Sequence, residues 1–241
     1  MKLKKLLVVL LAIYLTGCWS DGVVLENDIS ENTQTEQPLA SEAALNEGGS
    51  STKAVEQPDI NDEDFVKVKD YIPDIVVDLR YATANNFTKQ KIYDFTDAWL
   101  RYGTVKKLSL VQEELQQKGM SIKIWDGFRP TSAQFKLWDV CPNSTYVANP
   151  NNGFSSHSRG NTVDITVVGA NGKEIVMPTG FDDFSKLADR DYSDCSNEAA
   201  SNALMLEKLM KKHGFIPYSG EWWHFADEQT YPVDKVFEPI D

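Results

Sequence analysis

The chain has 241 residues, of which 41% are hydrophobic and 25% charged, and this length allows one domain of ordinary size with extensions. Its formal net charge is −12, but residues 19–64 alone carry −11 (twelve acids, one lysine), residues 1–18 carry +3, and residues 65–241 are left with −4. The acidity therefore says little about a substrate, and because no basic patch or stripe stands out, the composition argues against nucleic-acid binding.

The N-terminus has the pattern of an export signal. Lysines in "MKLKK" precede the apolar run "LLVVLLAIYL", which is shorter than the roughly 20 residues that a spanning helix needs. The ending "LTGC" at Cys18 resembles a bacterial lipobox, in which the cysteine is lipidated and becomes the new N-terminus. We expect a lipoprotein signal peptide over residues 1–17 and an N-terminal lipid anchor that holds the protein to the membrane in the cell envelope. An ordinary cleaved signal is the alternative.

A polar segment follows the signal. Residues 18–62 are rich in Ser, Thr, Asn, Gln, Glu and Gly and contain almost no aromatic residues. Such a composition buries too little apolar surface to fold, so we predict a disordered acidic tether. The composition becomes globular from about residue 63, and we predict one domain over residues 63–241.

The first half of this domain predicts alternating element types. "DIVVDLRY" (74–81) is typical of a strand, and residues 104–119 of a helix, with apolar residues three and four apart and Gly119 as its end. "SIKIW" (121–125) alternates as a strand does. "TSAQFKLWDV" (131–140) predicts a helix capped by its first residue, a threonine.

The second half supplies a hairpin and the clearest helix. Residues 162–176 predict a hairpin that turns at "ANGK", and residues 197–214 predict a helix capped by Asn197 and ended by Gly214. Strands and helices mix without regular βαβ alternation. The sequence therefore predicts an α+β fold with a central antiparallel sheet and flanking helices.

The stretch "SSHSRGNTVDITV" holds His157 and, seven residues later, Asp164. On one unbroken strand, an odd spacing would point the two side chains to opposite faces. They converge only if the chain turns between them, and residues 158–161 have turn chemistry. The pattern fits a metal site at the entrance of a strand, and it equally fits an ordinary hairpin approach.

A second motif, "SGEWWHF", places Glu221 three residues before His224. Glu-x-x-His is a weak signal alone, but His157, Asp164 and His224 together would be three ligands of a type that zinc accepts. Glu221 would then be the general base. The remaining histidine, at the C-terminal end of the predicted helix over residues 197–214, is explained by the helix dipole and is left out of the site.

The stretch "IWDGFRP" holds a third candidate, Arg129. Its guanidinium would be aimed at an oxyanion or a carboxylate, with Asp126 orienting it. The alternative is an ordinary turn with a solvated arginine. Cys141 and Cys195 remain after Cys18, and in an exported protein they could form a disulfide or stay as buried thiols.

Five motifs in order, "DLRYATANNF", "WDGFRP", "SSHSRGNTVDITV", "FDDFS" and "EWWHF", resemble the VanX-type D-alanyl-D-alanine dipeptidases, which belong to the wider zinc DD-peptidase/Hedgehog fold. The resemblance covers nearly all of residues 65–241. It implies one zinc ion bound by the two histidines and the aspartate named above, Glu221 as catalytic base, and Arg129 as the residue that stabilises the transition state.

The resemblance also implies a substrate pocket. Asp182 would bind the free ammonium of the substrate, although the preceding loop, residues 177–180, departs from the family pattern and makes Asp183 a rival. Ser155 would hold the substrate carboxylate. The set of substrate-binding residues implied in this way is Tyr81, Asp126, Ser155 and Asp182.

The activity that the resemblance implies is hydrolysis of D-Ala-D-Ala to two D-alanines in cell-wall peptide turnover. A D,D-carboxypeptidase that trims peptidoglycan stem peptides would use the same fold and metal. A non-catalytic envelope binding module is a third reading, which the presence of both Glu221 and Arg129 disfavours.

Overall fold

The computed structural model describes residues 59–241, so the predicted signal peptide, Cys18 and nearly all of the predicted tether lie outside the described residues. Residues 59–62, the last of that tether, are exposed. Within the described part of the chain, no helix combines the length and the apolar character needed to cross a bilayer.

Seven strands and four helices make up the domain, with 3₁₀ turns at Arg80–Ala82, Ser156–Arg159 and Lys186–Ala188. In chain order the elements are β1 (Phe65–Lys67), α1 (Val68–Tyr71), β2 (Val76–Val77), β3 (Trp99–Arg101), α2 (Tyr102–Gln116), β4 (Met120–Asp126), α3 (Thr131–Val140), β5 (Thr162–Gly169), α4 (Asn197–Lys212), β6 (Phe215–Pro217) and β7 (His224–Asp227).

The main sheet has five strands in the order β2-β4-β5-β7-β6, and β1 pairs with β3 in a separate two-stranded sheet. Every neighbouring pair in the main sheet is antiparallel except β2 and β4, which run parallel. The predicted α+β class is confirmed, and the antiparallel sheet differs from expectation only at this short edge pair.

The core forms where helix α2 covers the sheet. Leu108, Val111 and Leu115 on α2 are fully buried, as are Ile122 and Ile124 on β4. Their three- and four-residue spacing on the helix and two-residue spacing on the strand turn one face of each element inward. Strand β5 is buried on both faces over residues 162–168, so it forms the centre of the domain.

Two predicted strands are shorter in the structure. The strand predicted over 74–81 is limited to Val76–Val77, because the chain turns into the 3₁₀ helix that contains Tyr81. The hairpin predicted over 162–176 keeps its turn, but its second arm pairs only through a single bridge between Val168 and Glu174.

The bounds predicted for helix α3 are confirmed, and those predicted for α2 and α4 are wrong by at most three residues at an end. Two predicted caps were wrong. Thr131 is the first helical residue of α3, and no side chain caps that helix. Helix α4 is capped by Ser196, whose Oγ accepts a hydrogen bond from the amide of Ala199, and not by Asn197. Gly214 follows the end of this helix in the left-handed region, with φ of 81°.

Candidate metal centre and active site

The pairing of β5 with β7 creates the first half of the candidate site. Asp164 on β5 lies directly opposite His224, the first residue of β7. Cross-strand partners on one face of an antiparallel pair are close neighbours. As a result, 3.0 Å separates Oδ1 of Asp164 from Nδ1 of His224.

A turn before β5 brings in the third side chain. Residues 156–159 form a 3₁₀ turn, Gly160 reverses the chain with φ of 77°, and β5 begins two residues later. The turn places Nε2 of His157 3.3 Å from Oδ2 of Asp164. Nδ1 of His157 lies 2.8 Å from the carbonyl oxygen of Gly127, a contact that fixes the ring and leaves Nε2 for another partner.

These three side chains fit a metal ion. One ligand atom from each of His157, Asp164 and His224 lies within 4.8 Å of the others. Oδ1 of Asp164 is buried, and the nearby Nδ1 of His224 does not meet hydrogen-bond geometry with it, so a bound cation would satisfy this carboxylate oxygen. Two imidazoles and one carboxylate are a ligand set that catalytic zinc uses.

The electrostatics keep Asp164 ionised. Burial alone would raise its pKa, but the adjacent His157 and His224 outweigh burial and hold the pKa well below its usual range. The pKa of His157 is raised, because the attraction of Asp164 and Asp126 exceeds the opposing effect of burial. Asp164 is therefore an anionic metal ligand between the imidazole rings of His157 and His224.

Glu221 lies beside this cluster, in the loop between β6 and β7. Its Oε2 is 3.6 Å from Nδ1 of His224, and its side chain is partly buried. Burial raises the pKa of Glu221, and the negative charge of Asp164 raises it further. A carboxylate with a raised pKa close to a metal site is suited to accept and return a proton near neutral pH.

Arg129 is buried and oriented, so the solvated-turn alternative does not apply. Its Nη2 donates to Oδ2 of Asp126 at 2.5 Å, its Nη1 donates to Gln134 at 3.1 Å, and its Nε donates to the hydroxyl of Tyr93 at 3.3 Å. Asp126 is fully buried and also accepts from Tyr93 at 2.6 Å. Burial opposes the charge of Arg129, but the adjacent Asp126 outweighs it and raises the arginine's pKa well above its usual value.

The site opens into a cleft of about 350 Å³. The three ligand residues, Glu221 and Arg129 line the cleft, together with Tyr81, Ser155 and Asp182. Of the predicted site residues within the described part of the chain, only Asp126 is outside the lining, because it lies behind Arg129.

Of the two rival acids, Asp182 and Asp183, it is Asp182 that lines this cleft. Its Oδ2 accepts a hydrogen bond from the hydroxyl of Tyr81 at 2.9 Å, and its backbone has φ of 55°, in the left-handed region. Burial raises the pKa of Asp182 to about 8. Asp183 is exposed, and its carboxylate accepts a hydrogen bond from the amide of Ser185 within its own loop.

Ser155, His213 and the two cysteines were also considered from the sequence. Ser155 lines the cleft, and its Oγ accepts a hydrogen bond from the amide of His157 at 3.3 Å. His213 lies away from the site and binds Glu114 at 2.6 Å, consistent with its omission. Cys141 and Cys195 are both free thiols, so the structure forms no disulfide between them.

No sequence motif indicates that Tyr93 and Gln134 support Arg129. Both residues come from segments without a charged motif: Tyr93 precedes β3 and Gln134 lies on α3. The only available signal was Gln134 four residues after Pro130, at the start of a helix whose first turn follows Arg129 directly.

A mixed sheet carries one histidine and the aspartate, and the turn before β5 adds the second histidine. With a glutamate and a buried arginine in the same cleft, this arrangement defines a metal-dependent hydrolase. Comparison with known families identifies it more closely. The model of peptidase family M15, described as "D-ala-D-ala dipeptidase", matches residues 61–239. The chain belongs to this family and is a zinc metallopeptidase.

Named relatives agree with this assignment. The chain is 34% identical over 163 residues to the D-alanyl-D-alanine dipeptidase of Escherichia coli K12, covering 67% of this chain and 84% of that protein. It is 29% identical to the protein of the same name from Streptomyces coelicolor, covering 73% of this chain and 96% of that one. The corresponding protein of Enterococcus faecium is 28% identical, with 68% and 91% covered.

Solved structures give a weaker similarity. VanYB in complex with D-Alanine-D-Alanine is 18% identical with a TM-score of 0.36, covering 57% of this chain and 74% of that one. The LdcB LD-carboxypeptidase is also 18% identical, with a TM-score of 0.37, covering 60% and 65%.

Proposed function

We propose that this protein binds one zinc ion through His157, Asp164 and His224 and hydrolyses free D-Ala-D-Ala to two D-alanines. The observation that carries the proposal is the position of Asp182. This half-buried carboxyl lines the same cleft as the metal ligands, where it can receive the ammonium of a short substrate. The names of the relatives support the choice of dipeptide.

A zinc ion held by these three side chains would supply Lewis acidity to the reaction. Glu221 would accept a proton from the water that attacks the scissile carbonyl carbon, and would return it to the amine nitrogen as the C–N bond breaks. Arg129 directs its guanidinium at the scissile carbonyl oxygen, where negative charge develops. Asp126 and Tyr93 hold the guanidinium in place, so little reorganisation is needed during the reaction.

Asp182, supported by Tyr81, would bind the amine end of the substrate. The dipeptide's ammonium would pair with the carboxylate of Asp182, while the Tyr81 hydroxyl keeps that carboxylate oriented from the other side. A substrate whose amine is acylated has no charge to offer. It would leave the half-buried Asp182 without its partner, at a cost of about 2 kcal/mol, the lower end of the range for losing one partner of a charge pair.

The test compares two substrates with the zinc-loaded protein. We expect D-alanine release from D-Ala-D-Ala and little release from N-acetyl-D-Ala-D-Ala. Release from both would make the protein a D,D-carboxypeptidase and remove the ammonium-binding role of Asp182. Binding without release of D-alanine from either would favour the non-catalytic binding module.

We also propose that the protein is exported and lipidated at Cys18, so that it acts on peptides of the cell envelope. The proposal rests on the lipobox-like sequence alone. Labelling cells with an alkyne fatty acid should mark the wild-type protein and leave Cys18→Ser unmarked. Labelling of both proteins, or of neither, would contradict the assignment.

A further inference from the structure

Two arginines outside the cleft bind the backbone of the two loops that carry the histidines. Arg101 lies at the end of β3, and Arg190 lies in the segment before α4. We propose that Arg101 and Arg190 are positioning residues that fix His157 and His224 for metal binding. The inference rests on the zinc site of the proposed function and assigns a role to two residues that do not touch the ion.

Arg101 holds the turn that follows His157. Its backbone amide donates to the carbonyl of Gly160 at 2.8 Å, and its Nε donates to the carbonyl of Arg159 at 3.1 Å. Its Nη2 binds Oδ2 of Asp234 at 3.2 Å. The side chain of Arg101 is 10% exposed, so these bonds form largely out of water.

The partner of Arg101 holds the same turn from the other side. The backbone amide of Asp234 donates to the carbonyl of Ser158 at 2.9 Å. The carbonyl of His157 accepts from the amides of Gly160 and Arg129. Every carbonyl from His157 to Gly160 therefore has a partner, which leaves the turn little freedom to move.

Arg190 does the same for the loop that carries Glu221 and His224. Its Nε donates to the carbonyl of Tyr218 at 2.7 Å, and its Nη2 donates to the carbonyl of His224 at 3.0 Å. Its backbone amide donates to the carbonyl of Ser219 at 3.2 Å. The guanidinium thus bridges the two ends of the loop between β6 and β7.

The two arginines share one arrangement. Each pairs with a carboxylate, Asp234 for Arg101 and Glu207 at 3.0 Å for Arg190. Each guanidinium also lies over a phenylalanine ring, with Cζ to ring-centroid distances of 3.9 Å for Phe65 and 4.6 Å for Phe225. The planar guanidinium can bind a carbonyl and a carboxylate at once, which a lysine ammonium does with much less directional control.

Groups that orient the metal-binding side chains affect the affinity for the metal. Loss of a group that orients a metal-binding side chain typically weakens metal affinity by about 10- to 100-fold. Arg101 acts on the loop of one ligand, His157. Arg190 acts on a loop that carries both a ligand and Glu221, so its loss should also slow turnover when zinc is saturating.

The experiment uses Arg101→Lys and Arg190→Lys, which keep the positive charge beside Asp234 and Glu207 but lose the forked contacts. Lys107→Met is the control, because Lys107 pairs with the buried Asp227 and with Glu228 and touches neither loop. For each full-length variant, zinc affinity is measured by competition with a chromophoric chelator, and folding by thermal unfolding. Turnover is measured at saturating zinc.

We expect both lysine variants to bind zinc roughly 10- to 100-fold more weakly than wild type while remaining folded. Only Arg190→Lys should also lose kcat, and Lys107→Met should lose thermal stability without losing zinc affinity. Zinc affinity equal to wild type in the two lysine variants would overturn the inference. So would a loss of zinc affinity in Lys107→Met as large as that in the lysine variants. Failure of the wild type to bind zinc would instead overturn the proposed site itself.

Discussion

Asp164 on β5 and His224 on β7 are cross-strand partners, with Oδ1 and Nδ1 3.0 Å apart. A slip of one residue in this pairing would send one of the two side chains to the opposite face of the sheet. The register of the buried central strand therefore fixes two of the three ligands. Only His157 depends on a turn, and that turn is held by its own set of hydrogen bonds.

The ligands and the base should separate cleanly by mutation. His157→Ala removes one of three ligands, so we expect the protein to lose its zinc, measured as metal content after dialysis. Glu221→Ala removes no ligand, and we expect it to retain zinc but lose turnover. Unchanged metal content in His157→Ala would contradict the ligand assignment, and an active Glu221→Ala would remove the proposed base.

Gly160 should be intolerant of a side chain. Its φ is 77°, and a Cβ atom there would overlap the ring of Phe65 and lie 3.2 Å from Cγ of Arg101. We expect Gly160→Ala to lower the free energy of unfolding by about 1–3 kcal/mol and to weaken zinc binding, because the turn that carries His157 must shift.

Gly172→Ala is the matched control for this prediction. Gly172 has a similar φ of 71°, but a Cβ atom there meets nothing within 4 Å. It should share the backbone strain and leave zinc affinity unchanged. Equal zinc affinity in both variants would show that the turn at Gly160 does not set the position of His157.

Arg129 should act on turnover more than on binding. Arg129→Lys keeps a positive charge beside the buried Asp126 but loses the fork, so it avoids leaving that carboxylate unpaired. We expect kcat to fall by about 100-fold with a smaller change in KM, as for the loss of an oxyanion-stabilising donor. Steady-state kinetics test this, and an increase in KM alone would limit Arg129 to substrate binding.

Asp182 should make the stability of the metal-free protein depend on pH. Burial raises its pKa to about 8 in the folded state, from an ordinary value of 3.8. Between these values the folded protein binds more protons than the unfolded chain, so the free energy of unfolding falls as pH rises. The contribution is fully present below pH 4 and is lost as pH rises through about 8.

The comparison is with Asp182→Asn, measured by denaturant unfolding at pH 5 and pH 8.5. Wild type should lose stability relative to the asparagine variant across this interval, because other titrating groups are common to both proteins. Parallel pH profiles would mean that Asp182 titrates normally and that its surroundings do not raise its pKa.

The candidate site could be predicted from sequence because its residues lie in short motifs. His157 and Asp164 flank a stretch with turn chemistry, and Glu221 and His224 form a Glu-x-x-His motif, which is a weak signal alone but is strengthened by the other two residues. The helix over Tyr102–Gln116 could be predicted for a similar reason, since its apolar spacing repeats over four turns.

Other features depend on contacts between distant segments. The strand predicted over 74–81 ended early because Tyr81 turns inward, where its hydroxyl binds Asp182, 101 residues away. The pairing of β1 with β3 joins two three-residue strands too short to show a period. Arg101 and Arg190 had no motif at all, because their partners are backbone carbonyls that any sequence would provide.

The most direct test of the central claim measures D-alanine release by the zinc-loaded protein from D-Ala-D-Ala and from N-acetyl-D-Ala-D-Ala at equal concentration. We expect efficient release from the free dipeptide and, because Asp182 would be left without its partner, at least about 30-fold less release from the blocked one. Equal release from both would contradict a dipeptidase whose cleft reads the substrate ammonium through Asp182.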